Sequence, residues 1–357
     1  MEEQVAKIER TVRAASASVL VVIPTLDEAT HIEEVVRCLF REREAQLAMR
    51  VVVADGGSED GTAEIVEALA REYPELHLLH NRARIQSAGV NLAVRRHGET
   101  SDVLIRCDAH ALYPAGFCQS LLGALARTGA DSVVVPLDSV GSTALQRAIA
   151  WVSNSPIGTG GAAHRAGRVS GFVDHGHHAA FRMEIFRRAG GYDETFTHNE
   201  DAELDCRLRA LGARIYLDGA IRVGYHPRAS LYALSRQYFR YGAGRSRTLR
   251  RHFHSLRLRQ LVAPAHVVLS TIALVAGPWL PPLLAWPALY VTTLAGVSLV
   301  VAARHRSSFG LLTGPAAAVM HAAWGSGFLY GLATHRARPF RGDAASTAMS
   351  SALPEEP

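Results

Sequence analysis

The sequence predicts an α/β domain with a mostly parallel sheet flanked by helices, followed by C-terminal membrane helices. Between residues 18 and 220, short runs rich in Val, Ile and Leu alternate with segments of helical period, as in strand–helix units of parallel sheets. In contrast, residues 261–334 carry almost no charge and contain apolar runs of spanning length at 261–280, 283–303 and about 310–334.

The elements follow one another at regular intervals. The predicted strands are 19–23, which Pro24 should end, then 50–53, 76–79 and 103–107. The predicted helices run from a cap at Thr30 to about residue 47, from about Gly61 to Glu72, and from Ser87 to Arg96. The boundaries predicted for the whole chain are 1–17 (extension), 18–229 (α/β domain), 230–260 (basic amphipathic interfacial region), 261–334 (membrane segment of two or three helices) and 335–357 (disordered tail).

Polar residues, most of them acidic, follow the predicted strands. They are Asp27 with Glu28, Asp55, and Asp108 with His110. Ligands of parallel sheets collect at the carboxyl ends of the strands, so these side chains should line one cleft. Each motif alone is weak, because Asp is also a common turn former at strand ends. Their combination, in order, favours a binding site.

The stretch 197–211 predicts an amphipathic helix with Leu204, Leu208 and Leu211 on its apolar stripe. Asp201 lies on the same stripe in the first turn, so its carboxylate should point into the cleft. Burial raises the pKa of a carboxylate and a helix N-terminus lowers it, a balance typical of a general base. The alternative is a capping box formed by Thr197 and Glu200.

The chain has neither a Gly-x-Gly-x-x-Gly loop nor a Walker lysine. An acidic cleft without either predicts a nucleotide held through its base, its ribose and a divalent cation. Asp108 and His110, two residues apart at a strand end, can both face one diphosphate.

The net charge of +5 is concentrated before the first apolar run, in Arg236, Arg240, Arg245, Arg247, Arg250, Arg251, Arg257 and Arg259. Nucleic acid is one partner for such a cluster, but its position beside a spanning run favours anionic membrane lipid and a cytoplasmic orientation, with no nucleic-acid partner. Further arginines near residue 340 also favour the cytoplasmic side. Three full spans would instead place them on the opposite side of the membrane from the first basic cluster. The third segment is then re-entrant or interfacial, or the tail breaks the rule.

Two other features bear on location. The acidic start of the chain does not resemble a signal peptide. Cys38, Cys107, Cys118 and Cys206 have no paired spacing, which predicts buried thiols in a reducing compartment.

Several segments together resemble glycosyltransferase family 2, the inverting enzymes of GT-A fold. They are VIPTLDE (22–28), ADGGS (54–58), DAH (108–110), GGYDE (190–194) and NED (199–201). IQSAGVN (85–91), DHGHH (174–178) and QYFRYG (237–242) further resemble the ExoA type, the membrane-associated glucosyltransferases of succinoglycan assembly. The resemblance covers about residues 18–245.

The resemblance implies a role for each matching residue. Pro24, Thr25, Glu28 and Asp55 would hold the uridine of a UDP-sugar, and Arg84 would face the nucleotide as well. Asp108 would lie by the ribose and the metal, and His110 replaces the usual second Asp, which favours Mn²⁺ over Mg²⁺. Asp201 matches the catalytic base. The acceptor would be a lipid-linked saccharide, and a β-linked hexose, glucose by resemblance, would be added in exopolysaccharide assembly at the cytoplasmic membrane.

An acceptor side is predicted from further residues. Gln237, Arg240 and Tyr241 share one helix face and resemble the Gln-x-x-Arg-Trp signature of polysaccharide synthases. The alternative is an interfacial helix with its aromatic residues in lipid and its arginines in water. Glu200 and His177 are also assigned to this side, although a structural histidine explains His177 nearly as well.

Other functions share some of these features. A nucleotidyltransferase needs no base helix, and a processive synthase needs a translocation channel. A polyprenyl-phosphate hexosyltransferase shares the domain and the anchor, but would accept a bare lipid phosphate. An inactive membrane scaffold would not need Asp55, Asp108 and Asp201 together.

Overall fold

The structure, a computed structural model, describes residues 17–41, 47–160 and 169–335. The strands are β1 (Val19–Thr25), β2 (Met49–Asp55), β3 (Leu76–His80), β4 (Val103–Arg106), β5 (Ala111–Leu112), β6 (Ser132–Val135), β7 (Leu137–Ser139), β8 (Gly171–Val173), β9 (His177–Arg182), β10 (Ile215–Leu217) and β11 (Val223–Tyr225). The helices are α1 (Ile32–Phe40), α2 (Thr62–Glu72), α3 (Gln86–His97), α4 (Phe117–Thr128), α5 (Ala144–Ser153), α6 (Pro156–Thr159), α7 (Met183–Arg188), α8 (Glu200–Ala210), α9 (Leu231–Arg251), α10 (Val262–Ala276), α11 (Ala285–His305) and α12 (Thr313–Thr334).

The chain forms two compact units. Within the described residues, the first contains 17–135 and 169–222, and the second contains 136–160 and 223–335. Residues 136–160 therefore group with the C-terminal segment, while the sequence places the boundary at 229. The predicted extension and tail lie outside the described residues, except for Ala17 and His335.

The first unit contains an eight-stranded sheet in the order β3-β2-β1-β4-β9-β6-β10-β8. The first four strands of the chain run parallel, and β6 pairs parallel with β10. Strand β9 is antiparallel to both β4 and β6, and β8 is an antiparallel edge. The predicted mostly parallel sheet with flanking helices is confirmed.

The first strand extends past the residue predicted to end it. Val19–Ile23 are fully buried, as the continuous apolar run predicts for a central strand. Strand β1 pairs with β4 only as far as Val22 but with β2 as far as Thr25. Pro24 therefore lies where only one neighbouring strand remains, so its missing N–H is tolerated.

The helix boundaries were predicted well for α2 and α3 but not for α1. Helix α1 begins at Ile32 after His31, which makes no side-chain cap, and it ends at Phe40. The predicted Thr30 cap is therefore wrong, and residues 42–46 of the stretch predicted to continue the helix lie outside the described residues. All four cysteines are free thiols, but only Cys107 and Cys118 are fully buried.

In the second unit, the basic helix α9 packs along α12. A side chain at Gly242 would collide with the backbone of Trp324, and one at Gly327 with the backbone of Phe239. Small residues thus let the two helix backbones approach closely. Arg245 is buried here and donates to Ser255 Oγ and Gln260 Oε1, each at 3.1 Å. The predicted amphipathic surface helix is therefore covered along this face.

Two segments of the second unit are long and apolar enough to cross a membrane. They are Leu258–Ala276 and Pro281–His305, and only 11% of each apolar window is buried. Apolar surface left uncovered by protein at this length favours a lipid environment. Among the described residues, the third predicted run, now α12, does not meet the same criterion.

Candidate active site

The site in the first unit begins at the end of β4. Arg106 is the last residue of that strand and only 5% exposed, and Asp108 follows it. Asp108 Oδ1 accepts from Gln86 Nε2 at 3.2 Å and from Arg106 Nη2 at 3.3 Å. The end of β4 therefore places a guanidinium and a carboxylate within hydrogen-bonding distance of each other.

Helix α8 supplies two more carboxylates from its first turn, Glu200 and Asp201. Its N-cap is Asn199, in the left-handed region at φ 66°, and no side chain caps the helix. The alternative capping box with Thr197 is therefore wrong. Leu204 and Leu208 are fully buried as predicted, whereas Leu211 is 40% exposed and lies past the end of the helix.

Arg106 joins these carboxylates in one cluster. Its Nη1 donates to Asp201 Oδ1 at 2.6 Å and lies 3.5 Å from Glu200 Oε1. Burial opposes the charge of Arg106, but Asp201, Tyr192 and Asp108 outweigh it and hold its pKa well above the usual value. The guanidinium is therefore a permanent cation among buried acids.

A tyrosine completes the environment of Asp201. The Tyr192 hydroxyl donates to Asp201 Oδ1 at 2.9 Å. Asn91 fixes the tyrosine backbone, since its Nδ2 donates to Tyr192 O at 2.8 Å and its Oδ1 accepts from Tyr192 N at 2.9 Å. Gly191, at φ 69°, allows this approach because it has no side chain to meet Asn91.

His177, the first residue of β9, lies between the two key carboxylates. Its Nε2 is 3.4 Å from Asp108 Oδ2, and its Nδ1 is 3.8 Å from Asp201 Oδ2. Burial alone would raise the pKa of Asp108, but Arg106 and His177 lower it to well below the usual range. Asp108 is therefore ionised at any physiological pH.

The residues predicted to hold uridine lie at the ends of β1 and β2. The buried Asp55 carboxylate accepts from Gly57 N (2.8 Å), Ser58 N (3.1 Å) and Ser58 Oγ (2.5 Å), so it holds its own turn. Thr25 Oγ1 is buried without a hydrogen-bond partner among the described residues. Such an orphaned hydroxyl at a strand end is suited to a ligand.

Three more predicted residues lie at the same edge of the sheet. Glu28 Oε1 lies 2.7 Å from His110 Nδ1. Arg84 is exposed, and its left-handed backbone (φ 56°) lies near the turn after β2, where a Cβ on Gly56 would be 3.5 Å from Arg84 Cα. Pro24 is the penultimate residue of β1. The side chains predicted for the donor side therefore lie at or near the carboxyl ends of β1 and β2.

Two side chains after β4 have the chemistry of divalent-cation ligands. Asp108 and His110 offer one oxygen and one nitrogen donor, two residues apart. Among the described residues, His, Cys, Asp and Glu side chains form no group of three or more that could hold a metal. Mg²⁺ and Mn²⁺ commonly take one or two protein ligands and complete their shell with substrate phosphates and water. The donor set therefore suits an ion that arrives with a nucleotide diphosphate.

Glu200 should make folding dependent on pH. Burial first, and the charge of Asp201 second, raise its pKa from 4.5 to about 6. The folded state favours the protonated form of Glu200. Its contribution to the free energy of unfolding is therefore fully present below pH 4.5 and is lost as the pH rises through 6. The loss amounts to about 2 kcal/mol.

Glu200→Gln removes this dependence, because the amide stays neutral. We expect the thermal unfolding midpoint of the variant in detergent to exceed that of the parent at pH 7.5, and the gap to close at pH 4.5. A gap of equal size at both pH values would contradict this account. Glu184→Gln, on an exposed residue, is the matched control.

The predicted acceptor residues of the second unit separate into two groups. Gln237 Nε2 donates to the hydroxyls of Tyr225 and Tyr241, both at 2.9 Å. Arg240 is exposed and lines a groove with Arg236 and residues of α12. Gln237 and Tyr241 therefore belong to a hydrogen-bonded group, whereas Arg240 faces the groove.

Sequence reasoning missed Arg106, Tyr192 and Gln86 as members of the site. Tyr192 and Gln86 lie inside recognised motifs, but the neighbouring sequence does not indicate which residues their side chains contact. Arg106 carried a usable signal, since an arginine inside the apolar run 103–107 must be paired if the strand is central.

The mostly parallel sheet with its acidic edge, facing a helix that opens with two carboxylates, is the GT-A-like arrangement expected from the sequence. The chain belongs to glycosyltransferase family 2. Residues 20–190 match the model of Glycosyl transferase family 2. The chain is 45% identical over 326 residues to the succinoglycan biosynthesis protein ExoA of Rhizobium meliloti, covering 90% of this chain and 97% of that protein.

Two other proteins are similar to this chain, one over about a quarter of it and the other over most of it. An undecaprenyl-phosphate mannosyltransferase of Micrococcus luteus is 37% identical over 93 residues, which is 26% of this chain and 37% of that protein. The structure of mannosyltransferase PcManGT from Pyrobaculum calidifontis, in complex with GDP-Man and Mn²⁺, aligns with a TM-score of 0.55 at 21% identity, over 88% of this chain and 94% of that one. This second likeness concerns the fold.

Proposed function

We propose that the protein is an inverting glycosyltransferase that moves a hexose from a UDP-sugar to a hydroxyl of a lipid-linked saccharide. The product would be a β-linked unit in exopolysaccharide assembly, with glucose the first donor to test. One observation carries the proposal: Arg106 holds Asp108 and Asp201, the donor-side and the base carboxylate, on one guanidinium. The relative from Rhizobium meliloti, by its name, supports the polysaccharide context.

Asp201 is the proposed base, and its surroundings indicate which oxygen acts. Oδ1 already accepts from Arg106 and Tyr192, whereas Oδ2 faces His177. The acceptor hydroxyl gives its proton to Oδ2 as its oxygen bonds to the anomeric carbon. The bond from that carbon to the diphosphate breaks, and UDP leaves with the electron pair. In-line attack inverts the configuration, so an α-linked donor yields a β-linked product.

On the donor side, Thr25, Glu28, Asp55, Arg84 and Pro24 are proposed to surround the uridine. The orphaned Thr25 hydroxyl supports this assignment. Asp55 then acts mainly by holding the turn 55–58 in shape, with lone pairs left on its oxygens for the uracil edge.

Asp108 and His110 are the residues proposed to hold a divalent cation. When bound, the ion would offset the charge that grows on the leaving diphosphate. His177, which lies beside both Asp108 and Asp201, is proposed to contact the acceptor together with Glu200, the neighbour of the base.

The cation proposal predicts a metal requirement with a distinct preference. EDTA should stop transfer, and Mn²⁺ should restore it at least as well as Mg²⁺, because imidazole is the softer ligand. His110→Asp should move the preference toward Mg²⁺. Rates with each ion, added back to the chelated full chain, test this. Full activity in EDTA would exclude a catalytic cation.

The second unit supports a membrane setting. Two helices meet the criterion for spanning, and the basic helix α9 precedes them. Each basic residue near an anionic surface adds about 1 kcal/mol of attraction. We therefore propose that the catalytic unit faces the cytoplasmic leaflet of the inner membrane.

The test is a screen of radiolabelled UDP-sugars with membranes containing the full chain, scored by label in the lipid fraction. Label on a lipid-linked saccharide, β-linked after enzymatic release, is the expected result. Label on a bare polyprenyl phosphate would identify a polyprenyl-phosphate hexosyltransferase instead. A polymer that grows without a lipid anchor would identify a processive synthase. No label from any UDP-sugar would overturn the proposal.

A further inference from the structure

Three side-chain pairs connect helix α8 to the segment 174–177, which leads into β9. From the site outward, the pairs are Asp201 Oδ2 with His177 Nδ1 (3.8 Å), Asp205 Oδ2 with His175 Nδ1 (2.6 Å) and Arg209 Nη1 with Asp174 Oδ1 (3.2 Å). The helix contributes every fourth residue, so its three members share one face. The outermost pair is exposed and contributes little to stability.

The middle pair is formed by a buried carboxylate. Asp205 is only 1% exposed, and its Oδ2 accepts from His175 Nδ1 and, at 3.4 Å, from Gly176 N. A carboxylate at this depth is costly unless such hydrogen bonds satisfy it. Asp205 therefore holds two successive residues directly before His177, the first residue of β9.

Strand β6 supports the same segment from another side. Gly176 is buried, and a side chain there would collide with Val134. The pairing of β9 with β6 shifts register at Val134, so β9 carries one extra residue, Ala179. Bulges of this kind redirect neighbouring side chains and are common beside active sites. The backbone that carries His177 is thus held by both β6 and α8.

The contacts of the His177 ring itself are long. Its Nε2 lies 3.4 Å from Asp108 Oδ2 and its Nδ1 lies 3.8 Å from Asp201 Oδ2, and hydrogen bonds weaken well before such distances. These two carboxylates alone do not fix the ring, so its position depends on the backbone before it. A shift of about 1 Å in a reacting site can cost about 10²-fold in rate.

We propose that Asp205 is a positioning residue for sugar transfer, because through His175 and Gly176 it holds His177 between Asp108 and Asp201. The inference rests on the proposed function, in which His177 contacts the acceptor. Asp205 acts on the acceptor only through that histidine. Its loss should therefore impair the use of the acceptor and leave the binding of UDP intact.

The position of His177 can be measured without turnover. Diethyl pyrocarbonate modifies accessible histidine rings, and mass spectrometry of the full chain in detergent gives the rate for each ring. Asp205→Leu is close in size but accepts neither hydrogen bond, so modification of His177 should become several-fold faster. Asp205→Asn keeps an acceptor oxygen and should behave like the parent. Equal rates in the parent and in Asp205→Leu would overturn the proposal.

Transfer kinetics separate positioning from a general effect on the fold. With the lipid-linked saccharide labelled in the donor screen, Asp205→Leu should lower kcat/KM for this acceptor about 10–100-fold. The KM for the donor and the Kd for UDP should stay near the parent values. In a His177→Ala background the same change should cost little more, because the residue that it positions is gone. An equal loss in both backgrounds would show that Asp205 does not act through His177.

The matched control lies at the other end of β6. Asp131 accepts from Arg214 N at 2.8 Å, and Asp131→Leu should change neither the modification of His177 nor the acceptor kinetics. Changes as large as those of Asp205→Leu would refute a specific role. If no UDP-sugar labels the lipid fraction, the proposed function fails, and the modification rates alone decide the inference. Normal acceptor kinetics in His177→Ala would refute the acceptor contact and, with it, the role of Asp205.

Discussion

Replacing Asp201 by asparagine should lower the rate of sugar transfer by about 10²–10⁴-fold, the usual contribution of a general base. The amide oxygen can still accept from Arg106 Nη1 and the Tyr192 hydroxyl, now at 2.6 and 2.9 Å from Oδ1. Asparagine cannot take the acceptor proton. Turnover is measured at saturating donor and acceptor, and UDP binding by calorimetry.

The neighbouring carboxylate is the control for this loss. Glu200→Gln removes one negative charge from the same helical turn, but Glu200 is 3.5 Å from Arg106 and is not the proposed base. Its effect on transfer should be small beside that of Asp201→Asn. Unchanged turnover in Asp201→Asn would refute the base assignment, and lost UDP binding would show a structural role instead.

The sheet was accessible from sequence because its signals are local. Runs such as 19–23 and 51–53 are buried on both faces and read as continuous apolar strands, and their order follows from parallel crossovers. Strand β9 was not accessible. The segment 174–178, which leads into it and forms its first two residues, is polar and histidine-rich, and the strand enters the sheet antiparallel between β4 and β6 because of contacts distant in the chain.

The candidate site divides in the same way. Asp108 and Asp201 were predicted from motifs, because each follows or opens a recognisable element. That one guanidinium joins them was not predictable, since Arg106 finds Asp201 across a sequence separation of 95 residues. The capping-box alternative failed because Asn199, in the left-handed region, is the N-cap, and Glu200 Oε1 lies 3.5 Å from Arg106 Nη1 on a distant strand.

The C-terminal segment shows a different limit. Composition alone groups α12 with the two preceding apolar helices, yet two of its glycines, Gly327 and Gly331, lie directly against α9. Hydropathy records how apolar a helix is, but not whether lipid or protein covers it. The close packing depends on where glycines fall on both helices at once.

Arg106→Met should strongly destabilise the first unit. Asp108, Glu200 and Asp201 all lie within 3.5 Å of this guanidinium. Methionine is close in length and keeps the packing, but leaves buried carboxylates without their cation. Breaking a buried pair on one side costs about 3–5 kcal/mol. At about 2–4 °C per kcal/mol, the unfolding midpoint should fall by roughly 6–20 °C.

The cause of that loss can be separated from packing by a double-mutant cycle on the full chain in detergent. If the uncompensated charge of Asp201 is responsible, Arg106→Met should lower the midpoint less in an Asp201→Asn background than in the parent, because the carboxylate it leaves behind is gone. Arg106→Lys keeps the charge but not the fork that reaches Asp108 and Asp201 together, so its midpoint should lie between those of the parent and Arg106→Met. A loss of equal size in both backgrounds would assign the effect to packing and would remove Arg106 as the electrostatic link between the donor-side carboxylate and the base.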